Sequence, residues 1–424
     1  MLARLVVAGC VLLIASPAAA QDTAFVKALR GHSASFEIRE GRLTGPGADA
    51  LSRVAREHAF IGIGEDHGIR EVPQFVSALW TTARPHGFNH VAVEIGPISG
   101  RRLETMMRSP TASRDLHAFL GKYTAFTFPF FFWREEAEML EQIVKSVPSR
   151  RDVVWGVDQE FMVAPTYLLE RLAQLAPDAA ARNLATSFAG SSAKGDRDLM
   201  EKGSMAGVWM IATTDADIAG LRTAFKPARG SEADEIISEL AVSRDIYRRF
   251  NSGAGYEANQ QRDDLMKTNF VRFYRAAKAR GEKQPKAIIK LGANHVFRGP
   301  SITSTYELGS FLPEFAVLEG VKSFGILLVA GKGTWNAYRP MGSTEADKTK
   351  AYDPLATPEY SVFDLRSVLE ATGTRSWAFV DLRPLRAMAV NGPLRRLSPE
   401  ARRLLNSFDG IVVAPEAHAS VLIR

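Results

Sequence analysis

Four short apolar runs in this chain each stop on a titratable side chain. Phe60-Ile61-Gly62-Ile63 reads as a buried strand and hands over, after Gly64, to Glu65, Asp66 and His67. Val91-Ala92-Val93 ends at Glu94, and Val153-Val154-Trp155-Gly156-Val157 ends at Asp158. Ala287-Ile288-Ile289-Lys290-Leu291 runs into Gly292-Ala293-Asn294-His295. Short runs without apolar–polar alternation match strands covered on both faces, as in a parallel sheet. Between the first two, Val72, Phe75, Val76, Leu79 and Trp80 recur at helical spacing, with Pro73 tolerated in the first turn. Strand, helix, strand at this spacing predicts a right-handed βαβ unit. Later strands are expected at 325–330, 377–382 and 411–414.

The intervening segments read differently. Residues 21–58 look like a polar lead-in with a helix near Asp49–His58. Ala137, Leu140, Ile143 and Val144 mark a further helix. From about 160 to 285 the pattern is mostly helical, with one stripe at Ile236, Ile237, Leu240, Ala241 and Tyr247 and another at Leu265, Met266, Phe270, Phe273 and Ala277. The Gly/Ser/Lys-rich stretch 190–207 predicts a loop. Phe126 to Trp133 is unusually aromatic, which fits either a buried corner or one wall of an apolar pocket. The expected fold class is α/β, a mostly parallel sheet flanked by helices. A helical insertion at about 160–285 would lie over the carboxyl ends of the strands, within a single domain spanning 21–424.

Composition changes this picture little. The 424 residues are 46% hydrophobic and 24% charged, ordinary for a globular chain with a sizeable core. Residues 1–20 stand apart: Arg4, an apolar run from Leu5 to Ile14, and an Ala-x-Ala ending at Ala20 have the order of a secretory signal. The expected location is therefore periplasmic or secreted. No other run approaches ~18 apolar residues, so no membrane span is expected after signal removal. Cys10, the sole cysteine, lies inside that signal. Its loss would exclude disulfides, a thiol nucleophile and thiolate metal ligands together. The net charge of +6 is spread without blocks, which argues against nucleic acid as a partner and leaves a small-molecule substrate as the expected one. Oligomeric state is not legible.

If the strands are parallel, their carboxyl ends share one edge, where open α/β sheets carry their sites. One acid after one strand is often only a helix cap; four titratable strand ends together point to a polar site. No Gly-x-Ser-x-Gly elbow, His-Glu-x-x-His pair or phosphate-binding loop occurs, and in Gly62-x-Gly64 the third glycine of a dinucleotide fingerprint is replaced by His67. Ser191 and Lys194 match Ser-x-x-Lys only within a run of small residues. Glu71 heads the buried stripe at Phe75, and Arg262 heads the one at Met266, so each calls for a charged partner or a ligand. Carboxylates, two imidazoles and an arginine suit a water activated by a His67 base that a carboxylate orients, with His295 or Arg262 stabilising the oxyanion or protonating the leaving group. The same inventory would also hold a divalent metal through histidine nitrogen and carboxylate oxygen. No cofactor follows firmly.

At these residues the sequence resembles the erythromycin esterase-like proteins, and more broadly the superfamily that includes ChaN-type haem-binding lipoproteins and TraB/Tiki metal-dependent proteases. Gly64-Glu65-Asp66-His67-Gly68-Ile69-Arg70-Glu71 is similar to the family's Gly-Glu-x-x-His-Gly-x-x-Glu stretch. Ala92-Val93-Glu94, Trp133 to Leu140, Gly156-Val157-Asp158-Gln159, Arg262 to Met266, Gly292-Ala293-Asn294-His295-Val296 and Phe408-Asp409-Gly410-Ile411 resemble further stretches, in the same order. The resemblance implies a hydrolase acting on an ester or lactone. His67 would be the base, Glu65 and Glu71 its orienting acids, and Glu94, Arg262 and His295 would surround the substrate, with Arg70, Asp158 and Trp133 as binding residues. The relatives imply two other readings, a metal-dependent hydrolase or protease and a binder of haem or another apolar ligand. Two departures stand out. One residue rather than two separates Glu65 from His67, and Gly292 occupies the place of the first of two histidines in the late motif.

Overall fold

The computed structural model describes residues 17–337 and 349–423. In chain order its strands are β1 (Ser33–Arg39), β2 (Arg42–Thr44), β3 (Phe60–Glu65), β4 (Phe88–Val93), β5 (Val154–Gly156), β6 (Lys286–Gly292), β7 (Ser323–Ala330), β8 (Gly333–Asn336), β9 (Thr349–Tyr352), β10 (Trp377–Asp381) and β11 (Gly410–Ala414). Nine form one sheet in the order β2-β1-β10-β11-β7-β3-β6-β4-β5. From β11 to β5 all neighbours are parallel, while β10, β1 and β2 add an antiparallel edge. β8 and β9 pair separately as an antiparallel ribbon. The fold is the expected α/β class.

The apolar runs are uninterrupted because both faces of the parallel strands are covered. On one face, Ile61, Ile63, Val91 and Val93 pack against Leu51, Phe75, Leu79, Leu103 and Leu140 from the helices Pro46–Glu57, Glu71–Ala83, Pro97–Met107 and Arg134–Lys145. On the other, Phe60, Ile289 and Leu291 meet Leu29, Phe270 and Phe315 from Pro17–Gly31, Gly255–Ala279 and Leu308–Leu318. Each such side chain contributes roughly 1.5–3 kcal/mol relative to exposure.

The order of the central strands decides where the chemistry falls. β3 and β4 are joined through the helix Glu71–Ala83 but are not neighbours, because β6 inserts between them. The register sets Glu65 beside Gly292 and places Lys290 between Ile63 and Val93. The chain after β6 therefore emerges between the end of β3 and the end of β4.

Two expectations need correction. Residues 21–58 are not merely a lead-in: they supply the helix Pro17–Gly31, of which residues 17–20 belong to the expected signal, and the strands β1 and β2 at the antiparallel margin of the sheet. Only Phe36 of β1 is buried, so the strand reads as polar. Residues 190–202 belong to the helix Ala179–Lys202 rather than to a loop. Its small residues serve contact, since a Cβ on Gly195 would overlap the Gly207 carbonyl oxygen. Of the two readings of the aromatic run, the buried corner holds: Phe126, Phe128, Phe130, Phe131, Phe132 and Trp133 are all buried. Residues 1–16, which hold most of the expected signal including Cys10, lie outside the described residues. Among the described residues no helix is long and apolar enough to cross a membrane.

Candidate active site

A cavity of about 620 Å³ opens at the carboxyl ends of β3, β6 and β4. Its floor is Glu65, Asp66, His67, Glu94 and the segment Gly292–His295. Its opposite wall comes from Trp335, Ala351 and Tyr352 of the β8–β9 ribbon and from Asp353, Ala356, Thr357 and Pro358. The helical segment 160–285 reaches the site through Arg262. The outer wall is thus built largely by a ribbon that the sequence pattern did not single out. A larger groove of about 790 Å³, lined by Arg101, Tyr167, Arg171 and Glu235 among others, shares no lining residue with this cavity. Its Arg101, Lys122 and Arg171 are paired with Glu235, Glu170 and Glu232.

His67 sits at the centre. Its Nδ1 lies 3.2 Å from Glu65 Oε1 and its Nε2 3.6 Å from Glu94 Oε2. The Phe130 ring stacks on the imidazole with centroids 3.8 Å apart and planes 15° apart. Phe130 has φ 70°, a conformation that costs a residue with a Cβ, and such strain is kept where the surroundings hold it in place. The turn after His67 is tight for the same reason. Gly68 has φ 86°, and a Cβ there would overlap the Asn336 carbonyl oxygen. Burial pulls the His67 imidazole down, but Glu65 and Glu94 more than reverse this, so it titrates above its ordinary value.

Glu94 joins the second histidine to the first. Its Oε2 accepts from the Gly292 backbone N–H at 2.7 Å, and its Oε1 accepts from Arg262 Nη2 at 2.9 Å. His295 Nε2 lies 3.5 Å from Glu94 Oε1. Arg262 is fixed in turn by two hydrogen bonds to Asp158, from Nε at 2.9 Å and Nη2 at 2.5 Å, the planar fork matching the carboxylate. Burial would raise Glu94, but His295, His67 and Arg262 hold it well below the usual carboxylate range. On its far side, His295 Nδ1 donates to Glu307 Oε2 at 2.7 Å. Against burial, Glu94 and Glu307 push His295 up to about 10, so it is an imidazolium at neutral pH. Burial, together with contact with Glu307, pushes Asp263 up to about 8.

Of the nine residues expected in the site, the structure gathers Glu65, His67, Glu94, Asp158, Arg262 and His295. It does not bring in the other three. Glu71 accepts from the His418 backbone N–H at 2.9 Å and pairs with the His418 ring at 2.7 Å, so it anchors the carboxy-terminal strap and cannot orient His67. Arg70 is half-exposed and turned to Glu71. Trp133 is fully buried at the start of the helix Arg134–Lys145 and does not line the cavity. Nor does any other residue of the aromatic run; Phe130 acts only by stacking on His67. Three residues that sequence reasoning missed belong here: Lys290, Glu136 and Glu307. The signal for Lys290 was present, a lysine at a core-facing position of a strand buried on both faces.

Two clusters among the described residues could hold a cation: His90 with Asp152 and Glu282, and Asp263 with His295 and Glu307. In the first, Arg150 and Arg280 already neutralise the acids. In the second, the direct His295–Glu307 hydrogen bond occupies the atoms a metal would take, while the Asp263 Oδ2 is buried and without a hydrogen-bond partner.

The sheet, its helical layers and this strand-end site define an α/β protein with an erythromycin esterase-like fold. The chain is similar to the solved structure of a mutant of the erythromycin esterase EreC in its open conformation, at 17% identity and TM-score 0.58, over 92% of this chain and 99% of that one. It is also similar to a succinoglycan biosynthesis protein (14% identity, TM-score 0.57) and to a Bacillus cereus protein (14%, 0.58), each over 95% of this chain and 99% of the other. No protein-family model matches the sequence, and no curated protein aligns with it significantly. At these identities the likeness establishes the fold.

Proposed function

We propose that this protein is a hydrolase of the esterase kind in which His67 activates water against the acyl carbon of an ester or lactone. The observation that carries this reading is the pair of imidazoles, one flanked by Glu65 and Glu94 and the other held charged by Glu94 and Glu307, facing one 620 Å³ cavity. Neutral His67, its Nδ1–H directed at Glu65, takes a proton from water at Nε2. The water oxygen bonds to the acyl carbon, and negative charge gathers on the former carbonyl oxygen. His295, cationic at neutral pH, faces that charge and gives a proton to the departing alkoxide as the carbon–oxygen bond breaks. Acid and alcohol are released, and the proton on His67 restores His295 through solvent. Arg262, saturated by Asp158 and Glu94, keeps Glu94 ionised and in place rather than binding substrate. Likeness to an erythromycin esterase in fold supports the hydrolytic class, and the cavity's Trp335 and Tyr352 supply apolar surface for the substrate's body.

The test is hydrolysis of a panel of esters, lactones and peptides by the purified protein and by its His67→Ala variant. Turnover confined to esters or lactones and lost in the variant supports the proposal; turnover of peptides alone, or none at all, rejects it. We further propose export, on the signal-like order of residues 1–20. An amino terminus at Gln21 in protein recovered from the periplasm or medium is the expected result.

A further inference from the structure

Beneath His67 lies a group that the proposed reaction does not use directly. Lys290 projects from the middle of the sheet with 4% of its surface exposed. Its ammonium is hydrogen-bonded to Glu65 Oε1 and lies 2.9 Å from Glu136 Oε1. Glu65 and Glu136 are themselves buried, and the second oxygen of each has no hydrogen-bond partner. A lone lysine at this depth would lose its charge, and two carboxylates around one lysine leave one negative charge in excess. Removing this cluster from water is costly, so a purely structural purpose would be better met by apolar side chains. Its placement identifies the purpose: Glu65 Oε1, the atom that Lys290 grips, is also the atom 3.2 Å from His67 Nδ1.

We propose that Glu136, acting through Lys290, is a positioning residue that sets the charge state of His67. One carboxylate oxygen is shared between an ammonium and an imidazole, so whatever neutralises the ammonium frees Glu65 to attract the proton on His67. Glu136 is that neutraliser. It also ties this control to the other hold on the ring, since Phe130 and Glu136 flank the start of the helix Arg134–Lys145. The charged groups that act on His67 are Glu65 from its own segment, Glu94 from the end of β4, and Lys290 from β6. Arg262 and His295 act on it through Glu94. Burial raises Glu136 to about 7 against the pull of Lys290, so its own charge varies near neutral pH. This inference rests on His67 being the base, but its test does not require turnover.

The experiment is NMR titration of the His67 imidazole, assigned by its disappearance in a His67→Gln control, in the wild type, Glu136→Gln and Lys290→Met. Glu136→Gln keeps an oxygen for Lys290 to donate to while removing the charge. It should lower the His67 midpoint by about half a pH unit, and Lys290→Met should raise it by about one. On an active substrate, the acid limb of the pH–rate profile should move with each midpoint. A Glu136 that only packs would lower the melting temperature and leave the midpoint still. An unmoved or rising midpoint in folded Glu136→Gln overturns the proposal, and that variant decides it alone should Lys290→Met not fold. Absence of turnover in the wild type would instead sink the hydrolytic reading and leave the titration standing.

Discussion

The two edges of the parallel sheet carry similar ingredients in opposite conditions. At the amino edge, His90 lies between Asp152 and Glu282, with Arg150 and Arg280 alongside. At the carboxyl edge, His67 lies between Glu65 and Glu94, with Lys290 and Arg262 alongside. Each imidazole also has an aromatic ring on its face, Trp155 on His90 and Phe130 on His67. At the amino edge, both His90 nitrogens are within 2.9 Å of an acceptor, the Asp152 carbonyl and Glu282 Oε1, and the side chain is fully buried. At the carboxyl edge, His67 has longer separations of 3.2 and 3.6 Å, partial exposure, and a cavity in front of it. A histidine–carboxylate–arginine cluster is therefore not a site by composition. Unfilled polar capacity facing a space is what distinguishes the second from the first.

This contrast can be broken by substitution. Replacing His67 by Ala should cost about 10²–10⁴-fold in kcat/KM on a responsive ester, roughly 3–5 kcal/mol, as expected for loss of a general base. His90→Ala should leave kcat/KM within a few-fold and lower stability by about 1–3 kcal/mol in denaturant melts, because it removes a fully buried ring together with its hydrogen bonds to Glu282 and the Asp152 carbonyl. Equal losses of activity in both variants would erase the distinction between the edges.

Arg262→Met should be the most damaging change to stability, by about 3–5 kcal/mol, because it leaves Glu94 and Asp158 buried without their shared cation. The measurement is equilibrium unfolding, and a loss under 1 kcal/mol would show that those acids are solvated.

Titration probes the carboxyl edge without mutation. His295 is raised in the folded state to about 10, so its contribution to stability is complete below its unfolded value near 6.5. That contribution fades as pH rises toward 10. Activity should rise with pH as His67 loses its proton, at a midpoint above the ordinary imidazole value, and fall again as His295 deprotonates. A profile flat from pH 6 to 10 would contradict both roles. The smallest effect concerns metal: chelator dialysis should leave turnover unchanged. Loss of turnover, restored by a divalent ion, would instead assign Asp263, His295 and Glu307 as its ligands.

Much of the carboxyl edge was legible from sequence because buried parallel strands advertise themselves as unbroken apolar runs, and a charge directly after such a run has only one edge to occupy. That reasoning placed Glu65, His67, Glu94, Asp158 and His295 together. It missed whatever depended on contacts distant in the chain. Glu71 follows His67 by four residues, yet its partner is His418, more than 300 residues away. Trp133 and Arg70 were misplaced for the same reason, as neighbours of the right motif whose side chains turn elsewhere. The insertion of β6 between β3 and β4, which brings Lys290 and Gly292 to His67, leaves no mark in local periodicity. β1 and β2 escaped because strands that bury as little as these do not show an apolar run, and Glu307 was missed because it precedes a helix rather than following an apolar strand.

The central claim is that His67 is the base of a hydrolytic site. Its most direct test is turnover of an activated ester by His67→Ala with and without added imidazole. We expect a loss of about 10²–10⁴-fold in the variant, partly restored by imidazole entering the vacated space beside Phe130. Hydrolysis undiminished in the folded variant would contradict the claim.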